Sequence, residues 1–182
     1  LEWDPLLINA RTTLEAAFEH ALRDLTAADV DQARRQGSDI STQLAALVAS
    51  DGRSELASFL QRDASSEQFA DFLRQRSIYQ LKESDPQSFV LPRLDGPAKV
   101  ALAELQYDEY GAGRADRLHA HLFGEALAAM GLDRSYGAYI DEASATTLAV
   151  NNVMSMFALR RRLRGAALGH LAAFEATSSV TC

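Results

Sequence analysis

Apolar residues recur at three- and four-residue steps along almost the whole of this chain, and the two-residue alternation of a half-buried strand is scarce. That period points to one class of fold, all-α. The stretch "LLINARTTLEAAFEHALRDL" (6–25) sets Leu14, Ala17, Phe18, Ala21, Leu22 and Leu25 on one stripe of a helix. Two shorter helices are expected near 40–50 and 53–62, divided by the turn "SDGR". In "SSEQ", Ser65 and Gln68 have the spacing of a capping box, ahead of a buried face made by Phe69, Phe72 and Leu73. That helix should stop before Pro86, because a proline pushes its predecessor out of the helical region. "QSFVLPRLDGP" (87–97) has extended character and reads as a connecting loop, with Asp95 or Gly96 capping a helix that carries Pro97 in its first turn. That helix should be interrupted at Gly111 and Gly113, resume to Met130 and end at Gly131. The segment 144–176 is expected to be helical throughout, with Gly165 and Gly169 as places for a bend or a close helix approach.

The chain has 182 residues, 47% of them hydrophobic, enough for a single helical domain over 1–182 with a core of its own. A net charge of −7 argues against general attraction to nucleic acid or to an anionic membrane. The apolar runs fall well short of the roughly 20 residues that span a bilayer. No basic-then-apolar leader is visible, and the cytoplasm is the expected compartment. The lone Cys182 excludes an internal disulfide and a cysteine-based zinc site. Because the sequence starts at Leu1 and stops at "TSSVTC", it reads as a piece of a longer protein, with the domain incomplete at its C-terminal end.

Several familiar sites are absent. "GAGRAD" lacks the third glycine of a dinucleotide loop and follows a helix, and neither GxxxxGK[ST] nor HExxH occurs. "RRRLR" (160–164) reads as a solvated or acid-pairing helix face. His20 is expected at the surface or the boundary of the core, and His170, in "LGHLAAFE", as a satisfied core histidine. The carboxylates are more informative. An ionised carboxylate buried without a partner costs several kcal/mol, so one on an apolar stripe implies a cation, a metal or a raised pKa. Glu83 shares a helical face with Phe72, Arg76 and Tyr79; Glu109 lies over Leu102 and Leu105; Glu175 follows Leu168, Leu171 and Ala172. In "RLHAHLF", His119 and His121 point roughly 200° apart on a helix, and His119 is the inward candidate because Leu122 and Phe123 share its side. Inward glutamates with a histidine, contributed by separate helices, are the ligand chemistry of a carboxylate-bridged iron or manganese site in a helical bundle. On an unbroken helix Glu109 and His119 would stand about 15 Å apart, so the two glycines between them must supply the bend. Asp108 competes with Glu109 on helical angle alone.

The phrases "RSIYQLKESDPQSFVLPRLDGPAKVALAELQYDEYGAGRADRLHAHLF" and "RRLRGAALGHLAAFEATSS" resemble the haem-oxygenase-like di-iron oxidases and oxygenases, the iron-containing redox enzyme family, over about residues 70 to 180. The resemblance implies a haem-oxygenase-like helical bundle with two non-haem irons in place of haem, and O₂ as co-substrate. Its ligand motifs fall on Glu83 in "QLKESDP", Glu109 in "YDEYG", His119 in "RLHAHLF" and Glu175 in "AFEATSS", and so favour Glu109 over Asp108. The family's last ligand cluster, rich in His and Asp, has no counterpart after Glu175. The function implied is O₂-dependent oxidation of a small organic substrate, an amino-acid derivative or a fatty acid. No nucleic acid or membrane partner is expected, and a homodimer is allowed. The competing readings are a metal-free helical ligand-binding or interaction module and a true haem oxygenase with His119 or His20 as axial ligand.

Overall fold

The computed structural model describes residues 3–50 and 56–178. They form helices α1 (Pro5–Arg34), α2 (Ile40–Ser50), α3 (Leu56–Arg62), α4 (Ser66–Gln80), α5 (Asp85–Ser88), α6 (Gly96–Glu109), α7 (His119–Ala129), α8 (Ala145–Leu159) and α9 (Arg164–Ser178), with short 3₁₀ turns between some of them. No strand occurs among the described residues, so the fold is all-α. No helix among them is long and apolar enough to cross a membrane. The expected turn "SDGR" falls largely outside the described residues, at 51–53.

The helices group into two compact units, the first holding residues 3–50 and 173–178 and the second 56–172. In the first, α1 packs against α2. Asp4 caps α1 by accepting the Leu6 N–H, and Pro5 opens the helix, where its missing N–H costs nothing. The apolar stripe expected on α1 is mostly not covered: Leu14 and Leu25 are 72% and 77% exposed. Its buried charge, Glu19, accepts from both Nε and Nη2 of Arg23.

In the second unit α4 packs against α7 and α8, and α8 also against α5. The capping box at the start of α4 forms as its spacing predicts: the Gln68 N–H donates to Ser65 Oγ, and the Ser65 N–H donates to Gln68 Oε1 at 2.9 Å. The helix stops at Gln80, ahead of Pro86. Glu83 therefore lies in the turn after α4 and not on its face.

The segment 87–97 differs from its expected extended form. It winds into the end of α5 and a 3₁₀ turn at Leu91–Arg93. The reason is packing, because Val90 and Leu94 from this segment are buried in one cluster with Leu102, Ala158 and Leu171. Each such side chain contributes about 1.5–3 kcal/mol when taken out of water, more than a local backbone preference can oppose. The expected continuous helix over 144–176 is also divided, at Arg160, whose backbone is extended (φ −97°, ψ 107°). Arg93 accounts for the stop. Its guanidinium donates to the carbonyls of Ala158 (2.8 Å) and Leu159 (3.2 Å), oxygens that a helix end leaves without internal partners. Gly165 and Gly169 sit inside α9 with nothing close to where a Cβ would lie, so no tight helix approach is made at either among the described residues.

Candidate metal centre

Three chain segments converge at one place in the second unit. Glu109 is the last residue of α6, and His119 is the first of α7. Between them the chain runs through two 3₁₀ turns, with Gly111, Ala112 and Gly113 all at positive φ (73°, 53° and 80°). Left-handed backbone at three successive residues breaks the helix path, and Glu109 Oε2 comes to lie 2.8 Å from His119 Nδ1. The interruption expected at the glycines is thus the device that closes the 15 Å gap of a straight helix. Glu83 enters from the turn between α4 and α5, where Gln80 Nε2 donates to its Oε2 at 3.1 Å. One ligand atom from each of Glu83, Glu109 and His119 lies within 4.8 Å of the other two.

All three side chains come from helix ends and a turn, not from the middle of helices as a bundle pattern suggests. Asp108 is exposed, while the Glu109 side chain is 13% exposed. The His119 side chain is 46% exposed and Leu122 on its side of α7 is largely uncovered, so the imidazole is less inward than its neighbours implied. His121 is exposed and stands outside the cluster. Glu175 is exposed, belongs to the first unit, and is not among the three residues brought together. His20 is at the surface, 3.3 Å from Asp24. His170 is half-buried, edge-on to Phe157, and its desolvation pushes its pKa down.

The electrostatics of the cluster suit a cation. Glu109 Oε2 is buried and accepts no hydrogen bond among the described residues; the His119 ring nitrogen Nδ1 lies 2.8 Å away, an ion-pair contact when the imidazole is protonated. An unmet buried carboxylate oxygen is expensive unless a positive charge completes it. Burial raises the Glu83 pKa, and the neighbouring charge of Glu109 raises it further, against the opposing effects of His119, Arg76 and the Gln80 hydrogen bond. Two carboxylates and an imidazole form a hard donor set that fits iron or manganese.

The raised pKa has a consequence for the metal-free protein. Folded Glu83 holds its proton to higher pH than the unfolded chain does, so its contribution to stability is complete below the ordinary carboxylate range and is lost as pH rises through the folded pKa. Glu83→Gln should flatten this decline and leave the metal-free protein up to about 1 kcal/mol more stable at neutral pH, the gain being limited by solvent screening. Thermal unfolding of both proteins from about pH 4, near the ordinary carboxylate pKa, to about pH 9, the upper end that buried carboxylates reach, is the measurement. Parallel curves for the two would show that Glu83 does not carry the decline.

Sequence reading overlooked Gln106 and Ser84. Both are buried, and they hydrogen-bond to each other beside the two glutamates. The available signal was spacing: Gln106 lies one turn after Leu102 and three residues before Glu109.

Residues 70–181, more than half of the chain, match a protein family described as iron-containing redox enzymes. Comparisons with curated proteins and with solved structures give no match.

Proposed function

The chain belongs to the iron-containing redox enzyme family, and from that premise we propose that it is a non-haem iron oxidoreductase using O₂ to oxidise a small organic substrate. Its fold is the all-α, haem-oxygenase-like class that the resemblance implied. The observation that carries the proposal is the meeting of Glu83, Glu109 and His119 from three segments around one point. These residues would hold iron. Iron, if bound there, would supply the redox equivalents that no side chain of the site can provide. The chain's own part is to concentrate negative charge, to orient Glu83 through Gln80, and to leave the His119 side of the site open. The proposal extends to two irons, which requires donors in addition to these three. The class of substrate, an amino-acid derivative or a fatty acid, rests on the resemblance alone.

Anaerobic Fe(II) titration of the chain, followed by visible absorbance on exposure to O₂, tests this function. At least one iron per chain is expected, with binding lost in His119→Ala, and no Soret band when haem is added instead. Absence of iron binding would overturn the proposal in favour of a metal-free helical module. A Soret band in the chain, lost in His119→Ala, would overturn it in favour of haem.

A further inference from the structure

Gln106 is 3% exposed in α6, one turn beyond the core residue Leu102. Its amide is used on both sides. Nε2 donates to the backbone carbonyl of Ser84 at 2.9 Å and to Ser88 Oγ at 2.7 Å, while Oε1 accepts from Ser84 Oγ. A carbonyl can only accept, so the contact to Ser84 O fixes which way round the amide sits. The direction then propagates. Ser88 Oγ accepts from Gln106, and it donates its own hydroxyl to Tyr110 Oη, 2.7 Å away, because the single Tyr110 hydroxyl proton is taken by a carboxylate that can only accept. The Tyr110 hydroxyl is left to donate to Asp85 Oδ1 at 3.1 Å. The chain Gln106, Ser88, Tyr110, Asp85 runs one way and ends on a carboxylate, and two members of it, Ser88 and Asp85, stand in the helical turn that follows Glu83.

The position of this network gives it a role. Ser84 is the residue next to Glu83, Tyr110 is the residue next to Glu109, and Gln106 shares a helical face with Glu109. Each hydrogen bond between Gln106 or Tyr110 and residues 84–88 therefore ties the turn that bears Glu83 to the helix that bears Glu109. Without the tie, two carboxylates whose charges oppose each other would be free to separate. An apolar side chain at 106 would fill the core as well, but it could not fix the register of one segment on the other, which a fully satisfied buried polar network does. We propose that Gln106 is a positioning residue of the metal centre: its amide clamps the 84–88 turn onto α6 so that Glu83 and Glu109 are held together before a metal ion arrives. The inference rests on the metal-holding role proposed above for those two glutamates.

The test uses Co(II) as probe, read by its visible d–d absorption and by affinity, with thermal unfolding of each protein alongside. Gln106→Leu should bind Co(II) about 10–100-fold more weakly than the unaltered chain, the usual size of effect when a residue that orients a ligand is removed, and with an altered d–d spectrum. Ser88→Ala should shift both readings in the same direction by less. Met156→Ala, which empties a buried site in α8 and removes no hydrogen-bonding group of the network, should lower the unfolding temperature yet leave Co(II) affinity and spectrum unchanged. A folded Gln106→Leu protein that binds Co(II) as the unaltered chain does would overturn the inference. So would Met156→Ala losing affinity in step with stability. If Gln106→Leu does not fold, Ser88→Ala decides, and unchanged affinity and spectrum there overturn it. Failure of the unaltered chain to bind Co(II) is a separate result, which removes the metal centre itself and this inference with it.

Discussion

Gly111→Ala is expected to lower stability by about 2–5 kcal/mol and to abolish metal binding, a far larger effect than the same change at Gly113. A Cβ at Gly111 would lie 2.7 Å from the backbone carbon of Arg117 and 2.7 Å from the backbone nitrogen of Leu118. Neither atom can swing aside as a side chain could, so the strand of backbone leading into His119 must move. That motion carries the imidazole away from Glu109. At Gly113 the nearest atoms belong to the Tyr107 ring, at 3.8 Å, and only the left-handed conformation is costly, at about 1–2 kcal/mol. Ala112, at φ 53°, is the converse case, and Ala112→Gly should relieve up to about 1 kcal/mol. Chemical denaturation of the three variants, with Fe(II) titration of each, gives the comparison. Equal losses at 111 and 113 would show that the 117–118 backbone yields and that the close approach does not hold the site in shape.

Substituting glutamine for Glu109 should move two readings in opposite directions. Metal affinity should fall by more than about 100-fold, since even residues that only orient ligands are worth 10–100-fold. The metal-free protein, by contrast, should gain about 1 kcal/mol. The amide keeps the shape of the carboxylate, removes the repulsion on Glu83, and can donate to the imidazole nitrogen that Oε2 now faces without a hydrogen bond. Loss of both stability and affinity would argue that Glu109 is a structural partner of His119 and not a ligand held in readiness. Calorimetry of the metal-free proteins and Co(II) titration would separate these outcomes.

Local chemistry made part of this structure legible before any coordinates. The capping box of Ser65 and Gln68, the end of α7 near Gly131 and the interruption at Gly111–Gly113 all depend on neighbours within a few residues, and all form. Convergence of Glu109 with His119 followed from that interruption. Features made by distant partners were not legible. Pro92 and Gly96 suggested an open loop at 87–97, but burial of Val90 and Leu94 against α6, α8 and α9 winds it into turns. No glycine or proline marks the end of α8 at Arg160, because the signal is a guanidinium some 65 residues earlier in the sequence. On α1 the apolar period correctly gives a helix, yet it does not say which face is covered, and Leu14 and Leu25 remain exposed. Counting in helical turns from Phe72 puts Glu83 on a helical face, but α4 ends first. Gln106 and Ser84, polar by composition, are buried with their polar groups met by each other across 22 positions, and for Gln106 also by Ser88.

The uneven exposure of the triad bears on time as well as on affinity. Glu109 is nearly enclosed, whereas almost half of the His119 side chain meets solvent. An ion seated among these residues would have one ligand that water can displace without any helix unfolding. Its residence would then be governed by ligand exchange at the imidazole edge, not by global opening of the fold. Such a centre equilibrates with the metal supply around it, so its occupancy in a cell would follow the free iron level of the moment and not the history of how the protein was loaded.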